Sequence, residues 1–165
     1  MNELNIFMKN KIRYNTKSCI ISYNGSEING EGEHKIFKFI KNNKDDKKII
    51  IHGLDADLII LSLISHKDNI YLMREKEEND KLDYKYVDIS KLRYAIINDL
   101  IFHWNLDKNL YTNIFSNDSI NLIESYCIMC SFLGNDFIPH LLTVNLKNNG
   151  LENLINITNK SINHY

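Results

Sequence analysis

The sequence predicts an α/β fold whose C-terminal part is mainly helical. Three short runs, at 17–23, 49–52 and 69–74, each contain a group of apolar, β-branched or aromatic residues, which is typical of buried strands. Helical patterns follow the first two runs, and strands that alternate with helices favour a sheet with parallel strands. Further helical patterns occur within residues 88–159.

The first predicted strand is followed by a helix. Residues 17–23 have the composition of a buried strand and stop at a turn at Asn24-Gly25. Apolar residues recur at helical spacing over 33–42, which predicts a helix. Glu31 and Glu33 therefore fall at or just before a helix N-terminus, where acidic side chains are favoured.

The second predicted strand, Ile49–His52, ends at a glycine. The almost wholly apolar run 58–64 then predicts a short buried helix. Asp55 and Asp57 consequently lie in the turn that leaves a strand and opens a helix. In parallel α/β sheets, ligands bind at this carboxyl edge.

The remaining predicted elements are one strand and three helices. Residues 69–74 predict the strand, and the charged residues 75–85 after it predict a solvated loop. Asp88 is a suitable cap for a helix over 88–103. Two more helices are predicted, at 117–133 and 151–158.

Composition predicts a single globular domain over residues 1–165, with an α/β part at 17–74 and a mainly helical part at 88–159. Hydrophobic residues make up 44% of the chain, and the net charge of −1 provides no overall positive field. The sequence contains neither a secretory pattern at its start nor an apolar run of membrane-spanning length. We expect a cytoplasmic location, with a nuclear one also open, and no membrane partner.

Cys127 and Cys130 form a C-x-x-C pair inside an apolar stretch with helical spacing. The sequence has no second pair of cysteines or histidines to complete a tetrahedral zinc site. Because free cysteine is among the most buried residue types, we interpret both as buried thiols.

Three short acidic clusters carry the functional signal: Gly-Glu-Gly-Glu-His, Gly-Leu-Asp-Ala-Asp-Leu and Gly-Asn-Asp-Phe, at 30–34, 53–58 and 134–137. Folding is expected to bring their acids together at low solvent exposure, which is costly unless cations compensate the charge. An array of acidic oxygens suits a hard ion such as Mg²⁺. The candidate metal ligands and catalytic residues are Glu31, Glu33, Asp55, Asp57 and Asp136.

Two Mg²⁺ ions about 3.5 to 4 Å apart can activate a water and neutralise charge on a leaving oxygen in phosphodiester cleavage. Carboxylates two residues apart suit such a site when they lie in a turn, where both side chains can point the same way. The alternative for any single cluster is a helix cap, because acids at helix starts are commonly caps.

The acidic motifs resemble, in order and approximate spacing, those of the XRN family of 5′-to-3′ exoribonucleases. The matching segments are Asn29–Ile36, Gly53–Ile59 and Phe132–His140, and the resemblance extends from about residue 17 to about residue 159. It implies a partial Rossmann-like, three-layer nuclease core related to PIN domains and flap endonucleases.

The resemblance also implies an activity, namely Mg²⁺-dependent removal of nucleoside 5′-monophosphates from RNA that bears a 5′-monophosphate. The five candidate acids match metal-binding acids of the family and would hold two Mg²⁺ ions, for which Mn²⁺ can substitute. His34 and His140 lie inside the motifs, and a structural or hydrogen-bonding role is favoured over catalysis for each.

The family carries further metal-binding acids and a 5′-phosphate pocket upstream of the Gly-Glu-Gly-Glu motif, and residues 1–15 are too short to supply them. The chain thus resembles the later half of the catalytic core. We expect a second chain or a longer polypeptide to complete the site. The alternatives are a catalytically incomplete remnant that binds RNA or protein, and a flap-type DNA nuclease with the same metal chemistry.

Overall fold

The computed structural model describes most of the chain. The described residues are 3, 6–8, 21–25, 27–43, 47–53, 55–78, 81–135, 138–142, 144 and 146–162. The chain divides into two compact units, Met1–Lys44 and Asp45–Tyr165, which we call the N-terminal unit and the C-terminal unit. The single domain predicted over 1–165 stays a prediction.

The N-terminal unit contains α1 (Gly32–Asn42), which confirms the helix predicted over 33–42. Its apolar residues lie three or four positions apart, as an amphipathic helix requires. Ile40 is buried, whereas Ile36 and Phe39 are exposed.

The strand predicted over 17–23 is wrong for the residues of this run that are described. Ile21, Ser22 and Tyr23 have no strand conformation, and Ile21 is exposed. A strand is stabilised by backbone hydrogen bonds to a neighbouring strand. The described part of the N-terminal unit contains no strand that could supply them. Residues 17–20 lie outside the described ranges.

The C-terminal unit contains a three-stranded sheet of β1 (Ile49–His52), β2 (Ile70–Glu78) and β3 (Lys81–Asp88), in that order. β1 pairs with β2 in parallel, from Ile49 opposite Ile70 to His52 opposite Met73. This confirms the strand at 49–52 and the parallel pairing. β2 and β3 are antiparallel.

The loop predicted over 75–85 is wrong for the described residues of this run, because residues 75–78 belong to β2 and residues 81–85 belong to β3. β2 has nine residues and β1 only four, so the hairpin continues past the end of β1 as a two-stranded ribbon. A ribbon with solvent on both faces needs no apolar side, since its backbone hydrogen bonds are satisfied within the ladder. Its charged residues therefore do not alternate with apolar ones.

The C-terminal unit also contains four helices: α2 (Asp57–Ile64), α3 (Ile89–Trp104), α4 (Asn117–Ser131) and α5 (Gly150–Ile162). All four predicted helices are confirmed. Short 3₁₀ helices lie at Lys108–Tyr111 and Leu146–Asn148. In the parts of the chain that the structure describes, we find no helix with the length and apolar character to span a membrane.

The core lies between one face of the sheet and α3. Ile51, Ile70 and Leu72 are buried on the same sheet face, as the two-residue period of strands requires. α3 contacts β2, β3 and each of the other three helices of this unit. The Trp104 indole N–H donates to the carbonyl of Ile155 at 2.9 Å, which holds α5 against the end of α3.

Arg93 is the one charged side chain that is fully buried among the described residues. Its guanidinium lies 5.3 Å from the centre of the Phe115 ring. None of its three nitrogens has a hydrogen-bond partner among the described residues. Burial lowers the pKa of Arg93, while the proximity of Cys127 and Asp68 acts in the opposite direction. A buried cation without acceptors is destabilising.

Replacing Arg93 with methionine should therefore leave the chain as stable as before or stabilise it by about 1 kcal/mol or more. Methionine keeps much of the aliphatic volume and removes the buried charge. Arg93→Ala provides the comparison and should cost about 2 to 4 kcal/mol, because it also leaves a cavity. Urea denaturation measures both. A loss of more than about 2 kcal/mol in Arg93→Met would contradict the account and show that the guanidinium has an anionic partner.

Candidate functional site

Two of the five candidate acids lie at the start of α1 in the N-terminal unit. Glu31 is the residue before the helix, with extended backbone angles, and Glu33 lies in the first turn. Within the described residues, the Glu31 carboxylate caps no backbone N–H of this helix. It lies instead 3.6 Å from Nδ1 of His34, and both side chains are exposed. The cap interpretation therefore does not account for the Glu31 side chain.

A glycine allows the backbone to turn into the start of α1. Gly30 has a φ of +99°, in the region that L side chains rarely adopt. Next to the helix start lies an open cavity of about 400 Å³, lined by Gly32, Lys35, Phe39 and others. Glu31 and Glu33 are thus presented at the N-terminal end of a helix, where the helix dipole stabilises negative charge.

Asp55 and Asp57 lie at the carboxyl edge of the sheet in the C-terminal unit. Asp55 follows β1, and Asp57 is the first residue of α2. Oδ1 of Asp55 accepts the backbone N–H of Asp57 at 3.2 Å. This bond orients the first carboxylate across the start of the helix. The predicted position of both aspartates, between a strand and a helix, is confirmed.

The neighbouring strand supports this turn. The Gly53 N–H donates to the carbonyl of Met73 at 3.3 Å, and Nη2 of Arg74 donates to the carbonyl of Asp55 at 3.1 Å. Nε2 of His52 lies 3.3 Å from Oε1 of Glu75. Arg74 therefore lies beside the candidate acids and Glu75 beside His52, and sequence reasoning missed both residues. Aligning the two predicted strands in parallel, with His52 opposite Met73, would have placed Arg74 and Glu75 next to the end of β1.

The expected low exposure of the acids is wrong for two of them. Glu31 and Asp55 are exposed, and Glu33 and Asp57 are half-buried. Turns at the ends of strands and starts of helices lie at the surface, because their backbone groups need solvent or side-chain partners.

The fifth acid, Asp136, lies outside the described residues, but the chain on both sides of it is described. The Asn135 N–H donates to the carbonyl of Ile138 at 2.9 Å, and the Ile138 N–H donates to Oδ1 of Asn135 at 2.8 Å. Gly134, which precedes Asn135, has a φ of +86°. A Cβ at this position would lie 2.7 Å from the backbone nitrogen of His140. Only glycine therefore suits this position.

Gly134→Ala should destabilise the chain by about 1 to 3 kcal/mol, since alanine is strained at a positive φ and meets the backbone of His140. Gly32→Ala is the control. A Cβ at Gly32 meets nothing within 4 Å and its φ is not positive, so that change should be neutral or slightly stabilising. Thermal melting followed by circular dichroism compares the two. Equal melting temperatures for both variants would contradict the assigned geometry.

The candidate acids are distributed over both units. Within each unit, the residues that the structure describes bring together no group of three His, Cys, Asp or Glu side chains suited to a metal. The pairs Glu31/Glu33 and Asp55/Asp57 offer the carboxylate oxygens that Mg²⁺ prefers, so their donor chemistry fits this ion. The meeting of all five acids around Mg²⁺ stays a prediction.

Both cysteines of the C-x-x-C pair are free thiols. Cys127 is buried, Cys130 is half-buried, and neither forms a disulfide. Burial raises the pKa of Cys127 to about 12, and the proximity of Cys130 adds to this effect while Arg93 opposes it. The buried-thiol interpretation is confirmed for Cys127, whereas Cys130 is only partly buried. Such a thiol is protonated at neutral pH and is a poor nucleophile.

Two protein-family models match segments of the chain. Residues 1–76 match the family model of the XRN 5′-3′ exonuclease N-terminus, and residues 116–165 match that of the Xrn1 helical domain. The 5′-3′ exoribonuclease 2 of Aspergillus oryzae is 29% identical over 172 residues, which cover 82% of this chain and 17% of the relative.

Two further relatives agree with this match. The 5′-3′ exoribonuclease 2 of Yarrowia lipolytica is 32% identical over 78% of this chain and 14% of its own length. The 5′-3′ exoribonuclease 1 of Schizosaccharomyces pombe is 27% identical over 85% of this chain and 11% of its own length. The chain thus spans about a sixth or less of the length of these curated relatives.

The small mixed sheet with its helices is the α/β architecture of a PIN-like nuclease domain, followed by a helical part. The predicted fold class is confirmed. The chain belongs to the XRN family.

Proposed function

We propose that the chain forms part of a Mg²⁺-dependent 5′-to-3′ exoribonuclease centre. The substrate is RNA with a 5′-monophosphate, and the products are nucleoside 5′-monophosphates. The observation that carries the proposal is the position of Asp55 and Asp57 at the carboxyl edge of a parallel strand pair, in a member of the XRN family. The named activity of the relatives supports the direction of cleavage.

Bound Mg²⁺ would supply an activated water and stabilise charge on the leaving 3′ oxygen. The residues of the chain orient the carboxylates that would hold the ion. The bond from the Asp57 N–H fixes the Asp55 carboxylate, and the start of α2 stabilises the negative charge of Asp57. Arg74 holds the turn by its bond to the Asp55 carbonyl, so that the backbone between the two aspartates keeps its shape.

Neither unit gathers three metal ligands among its described residues. The proposal therefore places Glu31, Glu33 and Asp136 in the same centre as Asp55 and Asp57. It also includes acids from a second chain or a longer polypeptide, because each Mg²⁺ takes several oxygen ligands.

The exposure of Glu31 and Asp55 favours a second candidate function. Exposed carboxylates carry no desolvation cost and need no metal to be stable. The chain would then be a non-catalytic member of the family that binds RNA or protein through the same fold. Release of mononucleotides separates the two functions.

The activity test uses RNA with a 5′-monophosphate and Mg²⁺, with the chain alone and together with candidate partner chains. We expect nucleoside 5′-monophosphates as products. Asp55→Asn/Asp57→Asn should reduce their rate of release at least 100-fold, because amides replace two ligands without changing side-chain size. Thin-layer chromatography of end-labelled RNA identifies the products.

Asp99→Asn/Asp118→Asn is the matched control, since it removes the same charge from exposed positions on α3 and α4. It should keep full activity. Single-stranded DNA and 5′-hydroxyl RNA test the substrate class. Absence of product under all conditions would favour the non-catalytic function, and preference for DNA would indicate a flap-type nuclease.

A further inference from the structure

The part of the hairpin that extends past β1 has two unlike faces. We call this part, Arg74–Glu78 with Lys81–Lys85, the β2–β3 ribbon. Successive side chains in a strand point to opposite faces. Glu75 and Tyr84 are paired on one face, and Arg74 and Lys85 are paired on the other.

The second face is basic. The register places Arg74 opposite Lys85 and Lys76 opposite Asp83, so that Lys76 and Lys85 are diagonal neighbours. A side-chain hydrogen bond with Lys85, some desolvation and the positive charge of Lys85 lower the pKa of Lys76, although Asp83 opposes this effect. The side-chain nitrogens of Lys76 and Lys85 therefore lie close together, and both residues are exposed.

One anion faces these three cations among the described side chains of this face. It is Asp83, whose Oδ1 accepts the backbone N–H of Tyr84 at 2.8 Å. Part of its hydrogen-bonding capacity is thus used by the backbone. The basic face, which we define as Arg74, Lys76 and Lys85, keeps an excess of positive charge in a chain whose net charge is −1.

The basic face begins at the candidate acids. Nη2 of Arg74 lies 3.1 Å from the carbonyl oxygen of Asp55. β1 ends at His52, opposite Met73, so the ribbon extends beyond the sheet from the side on which Asp55 and Asp57 lie. A strand rises about 3.3 Å per residue, which puts Lys76 roughly 7 Å farther along the ribbon than Arg74.

We propose that the basic face binds the phosphates of RNA next to the nucleotide held at the acidic turn. This inference rests on the proposed function, since it assigns the substrate of that function to a specific surface. Lysine and arginine bind the backbone without regard to sequence, which suits an enzyme that must accept every nucleotide. Arg74 is a positioning residue as well, because it belongs to the basic face and also donates to the carbonyl of Asp55 in the turn.

The test measures binding of the full chain to a 5′-monophosphorylated oligouridine by fluorescence anisotropy, in EDTA and at several salt concentrations. Lys76→Gln/Lys85→Gln should weaken binding roughly tenfold at 0.1 M salt, since two phosphate contacts are lost. It should also reduce the slope of log K against log salt by about 1.4, at about 0.7 per contact for single strands.

Two further variants test whether the loss of RNA affinity is specific to the charge of the ribbon. Lys108→Gln/Lys147→Gln removes the same charge from the two 3₁₀ helices and should bind RNA as the parent chain does. Lys76→Arg/Lys85→Arg keeps the charge and should keep the affinity. Circular dichroism and melting temperature establish that each variant is folded.

Equal affinity of the ribbon variant and the lysine control would overturn the inference, and so would failure of the parent chain to bind RNA. Competition by polyglutamate as effective as that by RNA would assign the face to an acidic polypeptide and overturn it too. The binding assay contains no metal, so it is independent of cleavage. Binding through the ribbon without mononucleotide release would support the inference and count against the exonuclease.

Discussion

The parallel ladder between β1 and β2 is the constraint on which the account of the C-terminal unit depends. It pairs only four residues of β1, yet it sets the position of the turn that follows that strand. Because His52 lies opposite Met73, the turn with Asp55 and Asp57 lies beside Arg74. A shift of one residue would turn every side chain of β1 to the other face and expose Ile51.

The sequence predicted those elements whose signals are local. Helix α1 follows from its amphipathic spacing, and α3 follows from a cap that Asp88 provides by accepting the Lys91 N–H. The position of Asp55 and Asp57 followed from an apolar strand and an apolar helix on either side. The family followed from the order of three acidic motifs, and the comparisons agree.

The remaining features depend on partners distant in the sequence. The β2–β3 ribbon was missed because each strand is stabilised by the other and charges occupy both faces, so no alternation of apolar residues marks it. The run ending at Tyr23 has strand composition, but composition cannot supply a neighbouring strand. Exposure of Glu31 and Asp55 likewise depends on what covers them, which no local pattern encodes. The buried Arg93 also carries no sequence signal, because arginine in a helix is ordinarily exposed.

The central claim is that the acids of the three motifs share divalent ions. Titration of the isotope-labelled chain with Mn²⁺, followed by paramagnetic broadening of backbone amide signals, tests it most directly. The account predicts that amides at Glu31–Glu33, Asp55–Asp57 and Asn135 broaden together with one apparent affinity, and that Asp55→Asn/Asp57→Asn weakens the response at all three segments. Broadening confined to one segment, or with separate affinities at each, would contradict the shared centre.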